Sequence, residues 1–396
     1  MEEIKTNVLV IGKSGVGKSS LLNYMFNETV QKTGTGKPVT EKGIFPFDYS
    51  YDDNLKICIY DTWGLEPNKA EEWKELIKDE VEKHDKRDIK DWFNTIIFCI
   101  SANSDRVEDF EIEIMKQLLD MNNQMVIAIT HCNSVEDRRG ITLRHQIVAL
   151  TGFREEQVVF VSSVNKELIG KKVEKFGRKN VFVMIIKNLW NSLKQKVPYN
   201  IRRQTKEELN IEKKSLYEKI SKQRMLFQRD KKLTTFEKEV NKEFGEFLEN
   251  IIDRINNRFI DAINYYNALS LKYAEVALID KEKVINMPDM KFDFENEIKK
   301  EVEDSLSAIR ANKNNISTLM DSDITREVIQ EFCVALKKYL SSAQEIKIEL
   351  MRTVDKYIER VERVIEKQID NIQKQLKNID VEEIGKSMFL EDRQSD

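Results

Sequence analysis

The sequence predicts two parts of different fold class. Residues 1–197 are expected to form an α/β domain with a mostly parallel sheet and helices on both faces, and residues 198–396 an elongated all-α bundle or coiled coil. Three observations support this division. The 396 residues exceed the length at which a single core stops growing. In the first part, short β-branched apolar runs alternate with amphipathic stretches. Glycine and proline all lie before residue 178, except Gly245, Gly385, Pro198 and Pro288.

Five core strands are predicted in the first part, at residues 7–11, 55–60, 95–101, 125–130 and 158–162, with helices after most of them. Residues 95–100 are almost continuously apolar, which indicates a strand covered on both faces, as in a parallel sheet. An antiparallel edge strand is predicted near residue 44, because the edge of a sheet tolerates Pro46.

The second part is rich in lysine and glutamate, and long helices are predicted at about 206–232 and 234–278. Pro288 ends the second of these, and two more helices are expected after it. The last helix, about 55 residues or roughly 80 Å long, carries apolar residues three and four apart: Val354, Ile358, Val361, Ile365, Ile372, Leu376 and Ile379, with Gln368 or Ile369 at one site. A bundle within one chain is favoured, and a coiled coil between chains is the alternative.

Composition narrows the classes of function. The net charge of -4 disfavours a general nucleic-acid binder, which needs a positive surface. The four cysteines have no paired spacing and no signal peptide is apparent, so a cytoplasmic location is expected. Because no apolar run reaches the 18 or more residues of a spanning helix, membrane contact is expected to be peripheral at most.

A phosphate-binding motif follows the first strand and precedes a helix. In this context main-chain N–H groups and the helix N-terminus hold phosphate, Lys18 reaches the outer phosphates, and the Ser19 hydroxyl binds Mg²⁺. The predicted nucleotide-binding residues of the loop are Gly12, Lys13, Ser14, Gly15, Val16, Gly17, Lys18, Ser19 and Ser20.

A second motif, Asp61-Thr62-Trp63-Gly64, ends the next core strand, at the sheet edge where α/β proteins bind their ligands. Asp61 is predicted beside Mg²⁺, and the N–H of Gly64 at the terminal phosphate. In the polar loop between the two motifs, Thr40 is favoured over Thr35 to complete the Mg²⁺ shell. The predicted metal ligands are therefore Ser19, Thr40 and Asp61, and the predicted catalytic residues are Lys18, Thr40 and Gly64.

With residues 12–19, Thr40 and residues 61–64, the sequence resembles the translation-factor-related P-loop GTPases, and within them the Era-like GTPases. The stretches 98–102 and 105–109 extend the resemblance, which covers roughly residues 5–195. It implies GTP and GDP as ligands, Mg²⁺ as cofactor, and GTP hydrolysis. A GTPase head before a long helical part is also similar to immunity-related and dynamin-like GTPases.

The base-reading motif departs from the family pattern. The family's N/T-K-x-D is replaced by Thr130-His131-Cys132-Asn133, so an amide stands where a carboxylate would accept two guanine N–H bonds. Thr130, His131 and Asn133 are predicted to contact the base, with Ser162 and Ser163 as the second base loop by resemblance. Asp137 is an alternative acceptor, and GTP preference is less secure than phosphate binding.

Leu65 follows Gly64 where familiar relatives carry a water-orienting glutamine. An apolar side chain cannot orient water, so intrinsic hydrolysis is expected to be slow. Such relatives borrow a catalytic group from a partner or from a second copy of the domain, which predicts a homodimer or higher self-association. The leading hypothesis is a switch that relays nucleotide state to the helical part. The alternatives are a dynamin-like membrane-associated assembly and a nucleotide-stabilised scaffold with little hydrolysis.

Overall fold

The computed structural model describes residues 4–26, 44–52, 54–62, 69–134, 136–168, 171–222, 230–279 and 343–377. The predictions for Thr35, Thr40, Gly64 and Leu65, and for the third predicted helix, lie outside these residues.

The first part of the chain forms the predicted α/β fold, a six-stranded sheet with the strand order β2-β3-β1-β4-β5-β6. All neighbours in the sheet are parallel except β2 and β3, because the edge strand β2 is antiparallel. The strands are β1 (Ile4–Ile11), β2 (Ile44–Asp52), β3 (Leu55–Thr62), β4 (Phe93–Ser101), β5 (Val126–Thr130) and β6 (Val158–Phe160).

Five helices accompany the sheet: α1 (Lys18–Met25), α2 (Ala70–Asp85), α3 (Asp109–Asp120), α4 (Arg138–Thr151) and α5 (Arg178–Lys194). All nine residues of β4 are buried, so this central strand is covered on both faces as predicted. One buried cluster gathers apolar side chains of β4, β5 and helices α2, α3 and α4.

The structure differs from the sequence prediction at some boundaries. Strand β6 ends at Phe160, two residues early, and Ser162 instead forms an isolated bridge with Phe176. A short hairpin of β7 (Lys166–Leu168) and β8 (Lys171–Val173) was not predicted, because three-residue strands are too short to show a periodicity.

The described residues of the second part form three long helices: α6 (Lys196–Lys222), α7 (Asp230–Val276) and α8 (Ala343–Lys377). Helix α6 begins about ten residues before its predicted start. Pro198 lies in its first turn, where a missing N–H breaks no helical bond. Helix α7 begins at Asp230 rather than near residue 234. None of the described helices has both the length and the apolar composition needed to cross a bilayer.

The described chain divides into two compact units. The first comprises residues up to Asn200 together with the segment that begins at Asp261, and the second comprises Ile201–Ile260 and α8 up to Gln375. The domain boundary predicted at residue 197 stays a prediction. It is a single division along the sequence, whereas the two compact units are defined by contacts in space.

Within the first unit, the C-terminal part of α7 packs on the starts of β1 and β4. The Tyr265 hydroxyl donates to the main-chain oxygen of Lys5 at 2.8 Å and accepts from Asn94 at 3.0 Å. The Tyr273 hydroxyl lies 3.2 Å from that of Thr95. Because all of these side chains are buried, the segment covers the sheet ends opposite the phosphate loop.

Within the second unit, α8 packs along α6 through ion pairs that flank buried apolar residues. Lys206 lies 2.7 Å from Glu362, and Lys213 lies 2.5 Å from Asp355. The seam of α8 buries Ile358, Ile365, Ile369 and Ile372. Ile369 thus fills the position for which the sequence left Gln368 or Ile369 open.

Candidate nucleotide site

The phosphate loop connects Ile11, the last residue of β1, to Lys18, the first residue of α1. Its glycines take backbone conformations that side chains rarely adopt, with φ of 154° at Gly12, 77° at Gly15 and 89° at Gly17. A Cβ at Gly12 would lie 2.6 Å from the main-chain oxygen of Cys99, whereas one at Gly15 would meet nothing within 4 Å. The loop is thus packed against β4 on one side and open at Gly15.

Lys18 is buried at the base of this loop. Its ammonium donates to the carbonyl oxygens of Gly12 at 2.9 Å and Lys13 at 3.1 Å, and it lies 4.0 Å from Asp61 Oδ1. Burial lowers the pKa of Lys18, and the nearby Asp61 carboxylate opposes that shift. A buried ammonium whose positive charge is only partly balanced by neighbouring oxygens favours the binding of an anionic ligand. This arrangement fits the predicted contact between Lys18 and the outer phosphates.

The two predicted Mg²⁺ ligands within the described residues lie on a helix and on a strand of the sheet. Ser19 is in the first turn of α1, and Asp61 is near the end of β3, where it pairs in register with Val10 of β1. The Thr62 hydroxyl donates to the Val10 carbonyl at 3.2 Å and holds this strand end in place. A hydroxyl and a carboxylate are the hard oxygen donors that Mg²⁺ prefers, so these residues fit the metal.

The base loop is tied directly to the phosphate loop. The Thr130 hydroxyl is buried and lies 2.5 Å from the carbonyl oxygen of Val16 and 3.2 Å from that of Ile100. His131 has a φ of 59°, and its Nε2 would lie 3.1 Å from a Cβ on Gly17. The structure therefore brings Thr130 and His131 against the loop that carries Val16 and Gly17.

Asp137 shapes the position of Asn133. Its Oδ2 accepts the main-chain N–H of Asn133 at 2.9 Å, and its Oδ1 caps α4 by accepting the N–H groups of Arg139 and Gly140 at 3.0 and 3.3 Å. Although burial alone would raise the pKa of Asp137, these three donors outweigh it and hold the pKa below its usual value. Because both oxygens serve the main chain, the geometry favours a positioning role over the alternative in which Asp137 reads the base.

The second base loop contains Ser162 and Ser163. The Ser162 hydroxyl donates to the Val164 carbonyl at 3.2 Å, and its main chain pairs with Phe176. The Ser163 hydroxyl is buried and makes no hydrogen bond to any described residue. Lys166, on β7, donates to the carbonyl oxygen of His131 at 3.1 Å and so joins the two base loops. The sequence pattern did not indicate Lys166, because its contact crosses 35 residues.

Residues 7–131 match a protein-family model described as "50S ribosome-binding GTPase". The curated relatives include Translocase of chloroplast 101 and Translocase of chloroplast 108 of Physcomitrium patens, each 28% identical over 149 residues. The match covers 35% of this chain but only 16% and 14% of those relatives. The chain thus spans about a sixth of the length of the relatives it matches.

Similar solved structures include Toc33 from Arabidopsis thaliana in complex with GDP and Mg²⁺, which is 20% identical over 40% of this chain and 71% of that one, with a TM-score of 0.30. The septin GTPase domain from Chlamydomonas reinhardtii is 13% identical over 47% and 90%, with a TM-score of 0.33. The family match lies on the phosphate loop and on Asp61, residues whose geometry suits phosphate and Mg²⁺. The first part of the chain therefore has the α/β fold and the phosphate loop of a P-loop GTPase domain.

Proposed function

We propose that this protein is a GTP-dependent switch whose slow intrinsic hydrolysis is stimulated by self-association or by a partner, and whose nucleotide state is relayed to its helical part. The observation that carries the proposal is the buried Lys18, which lies between the loop carbonyls of Gly12 and Lys13 and the Asp61 carboxylate. This arrangement supports phosphate binding by residues close to the metal ligands.

Slow hydrolysis follows from the residues around the terminal phosphate. Bound Mg²⁺ would neutralise charge on the phosphate oxygens, with Ser19, Asp61 and Thr40 as its protein ligands. Lys18 would hold the same oxygens, and the Gly64 N–H would hold the terminal phosphate. Leu65 offers no hydrogen bond to the attacking water. The domain therefore binds its substrate well but lacks one group that the transition state needs.

Arg106 is our candidate for that group, supplied by one copy of the protein to another. It lies between the end of β4 and the start of α3, at the edge of the sheet that carries the phosphate loop. Its side chain is 74% exposed and its guanidinium lies 3.6 Å from Glu108. An arginine supplied in trans can raise phosphoryl-transfer rates by about 10³–10⁵. Arg106 is free to act in this way because it is exposed rather than packed within its own domain.

Base selectivity is proposed to depend on Asn133, with His131, Ser162 and Ser163 around it. A carboxamide offers one acceptor to guanine and presents a donor beside it, so discrimination against other purines should be weaker than with a carboxylate. Titration of GTP, XTP and ATP against the wild type and Asn133→Asp tests this. We expect Asn133→Asp to favour GTP over XTP by a larger factor than the wild type does. An unchanged ratio removes Asn133 from base reading.

Arg178 supports the relay to the helical part. Its Nε donates to the carbonyl oxygen of Met25, the last residue of α1, at 2.8 Å, and its Nη2 donates to that of Val276, the last residue of α7, at 2.6 Å. One guanidinium therefore joins the C-terminus of the helix that begins at Lys18 to the C-terminus of α7. If α1 moves when nucleotide binds, the Arg178 side chain would transmit that movement to the end of α7.

Hydrolysis measured against protein concentration tests the switch. We expect the wild-type rate per molecule to rise with concentration, Arg106→Ala to stay at the slow basal rate, and Lys18→Ala to give the blank. Arg363→Ala, an exposed arginine on α8, is the matched control and should resemble the wild type. A wild-type rate that does not change with concentration contradicts stimulation by self-association.

The two alternative functions, a dynamin-like membrane-associated assembly and a nucleotide-stabilised scaffold, predict other results. A dynamin-like assembly would co-sediment with anionic liposomes when a GTP analogue is present, and absence of co-sedimentation with and without the analogue removes it. A scaffold with little hydrolysis would show no single-turnover hydrolysis above the Lys18→Ala blank.

A further inference from the structure

We propose that Lys13 is a positioning residue for GTP hydrolysis: its side chain anchors the loop that carries Arg106 by binding Glu108 and Glu111 of α3. The inference rests on the proposed function, because it concerns the placement of Arg106. The motif alone suggested that residue 13 simply binds nucleotide, and its main chain remains part of the phosphate loop.

The side chain of Lys13 points to α3 in the structure. Its ammonium lies 3.4 Å from Glu111 Oε2 and 3.6 Å from Glu108 Oε1, and it lies over the Phe110 ring at 5.5 Å. Three residues at the start of α3 therefore converge on one lysine of the phosphate loop. The contact spans nearly a hundred residues of sequence and fixes the distance between the loop and the helix.

Glu111 depends on this lysine because its side chain is only 2% exposed. Burial raises the pKa of Glu111, and the Glu108 N–H and the Lys13 ammonium counteract the rise. Glu111 Oε2 accepts the Glu108 N–H at 3.0 Å, as part of a capping box at the start of α3. Without Lys13, a buried carboxylate would lose its cation, and the capping box would be weakened.

Glu108 carries the connection on to Arg106. One of its oxygens lies 3.6 Å from Lys13, and the other lies 3.6 Å from Arg106. Without Lys13, this carboxylate keeps its contact with Arg106, which would draw the guanidinium toward its own domain. Lys13 therefore keeps Arg106 available to a second molecule.

Lys13 also contacts the catalytic lysine, since its main-chain oxygen accepts from Lys18 Nζ at 3.1 Å. One residue thus contacts the group that holds the outer phosphates and the loop that holds the arginine.

Three variants of the full chain test the inference: Lys13→Met, Glu111→Gln and their double combination, with Lys116→Met as the control. Lys116 is an exposed lysine on the same helix. We expect the two single variants to lower kcat at high protein concentration by a similar factor of about ten, and the double variant to be no worse, as for residues that act as one unit. Glu111→Gln should leave KM within about twofold. Lys116→Met should match the wild type.

Hydrogen exchange of the 102–108 backbone gives a readout that does not depend on self-association. Faster exchange is expected in Lys13→Met and Glu111→Gln but not in Lys116→Met. If the amides of residues 102–108 exchange at the wild-type rate in both single variants, the proposal that Lys13 anchors this loop is refuted. If Lys13→Met weakens nucleotide binding tenfold while Glu111→Gln is normal in every assay, the lysine side chain is a phosphate ligand instead. If the GTP hydrolysis rate of the wild type does not depend on protein concentration, only the proposed stimulation by self-association is refuted. Hydrogen exchange of residues 102–108 still tests whether Lys13 anchors this loop.

Discussion

The hydroxyl of Thr130 lies 2.5 Å from the main-chain oxygen of Val16, so the loop predicted to contact the base is bonded to the predicted phosphate loop. Thr130 ends β5, and Val16 lies two residues before α1. The same hydroxyl lies 3.2 Å from the Ile100 carbonyl of β4. One side chain therefore connects the end of β5 to the loop before α1 and to β4.

Thr130→Val is predicted to loosen this connection. The methyl group preserves the shape but leaves the buried Val16 oxygen without its donor, which costs about 1–3 kcal/mol of unfolding free energy. Urea unfolding measures that loss, and stopped-flow release of a fluorescent GDP analogue should show faster dissociation. Thr130→Ser keeps the hydroxyl and is expected to stay close to the wild type on both measurements. Equal dissociation rates for the two variants would show that the hydroxyl does not matter.

Gly12→Ala is predicted to displace the phosphate loop. The new Cβ would meet the Cys99 carbonyl at 2.6 Å, and main-chain atoms of a central strand cannot move aside cheaply. Overpacking of this kind costs about 1–3 kcal/mol, and nucleotide affinity should fall with it.

Gly15→Ala is the matched comparison, because it meets no neighbour and suffers only its positive φ, at about 1–2 kcal/mol. Calorimetric titration with GDP and thermal unfolding compare the two variants. A larger loss of stability in Gly15→Ala would contradict the clash at Cys99.

Asp137→Ala is predicted to weaken both α4 and the placement of Asn133. Loss of a helix N-cap costs about 0.5–2 kcal/mol. The pKa of Asp137 is lowered in the folded protein, so its stabilising effect is fully present above the ordinary value of 3.8 and disappears as the pH falls through the lower folded value.

The stability difference between wild type and Asp137→Ala should therefore be constant from neutral pH to about pH 5 and shrink only in strong acid. Denaturant titrations at several pH values measure it. Glu136→Ala removes an exposed neighbouring carboxylate and serves as the control. A difference that grows as the pH falls from 7 to 5 would mean that the folded pKa is raised instead.

Lys196→Met is predicted to be strongly destabilising. The Lys196 ammonium lies 2.9 Å from Asp85 Oδ1 and donates to Asn123 Oδ1 at 2.6 Å, and both charged side chains are almost fully buried. Removing one partner of such a pair costs about 3–5 kcal/mol, whereas replacing both with apolar residues is often nearly neutral. The double variant Lys196→Met with Asp85→Leu should therefore recover stability in urea unfolding. No recovery would indicate that packing, rather than the unpaired charge, causes the loss.

The parts of the fold that depend on local pattern were predictable from the sequence. Strand β4 is apolar at most positions, and the glycines of the phosphate loop stand where the backbone has positive φ. The end of β5 and the place of Asp61 near the end of β3 were also predicted from the pattern of neighbouring residues. These features are local, so the pattern of neighbouring residues is sufficient to define them.

Contacts between distant residues could not be predicted in this way. Lys13 matches its motif, but nothing near it in sequence indicates that its ammonium lies beside Glu111. Tyr265 and Tyr273 belong to the apolar side of a long helix, and the periodicity cannot say that they meet Asn94 and Thr95. Asp137 was recognisable as an N-cap from the helical stretch after it, which would have shown that its carboxylate is occupied.

The segment of α7 that covers β1 and β4 has a consequence for synthesis on the ribosome. The last strand of the sheet ends at Phe160, but Tyr273 emerges about 110 residues later, roughly 5–20 s at ordinary rates of translation. During that interval Asn94 and Thr95 have no tyrosine partner, and the sheet ends are uncovered. The nascent GTPase domain therefore reaches its finished surface only after most of α7 has been made, and release of a shorter chain would leave an apolar edge open to aggregation.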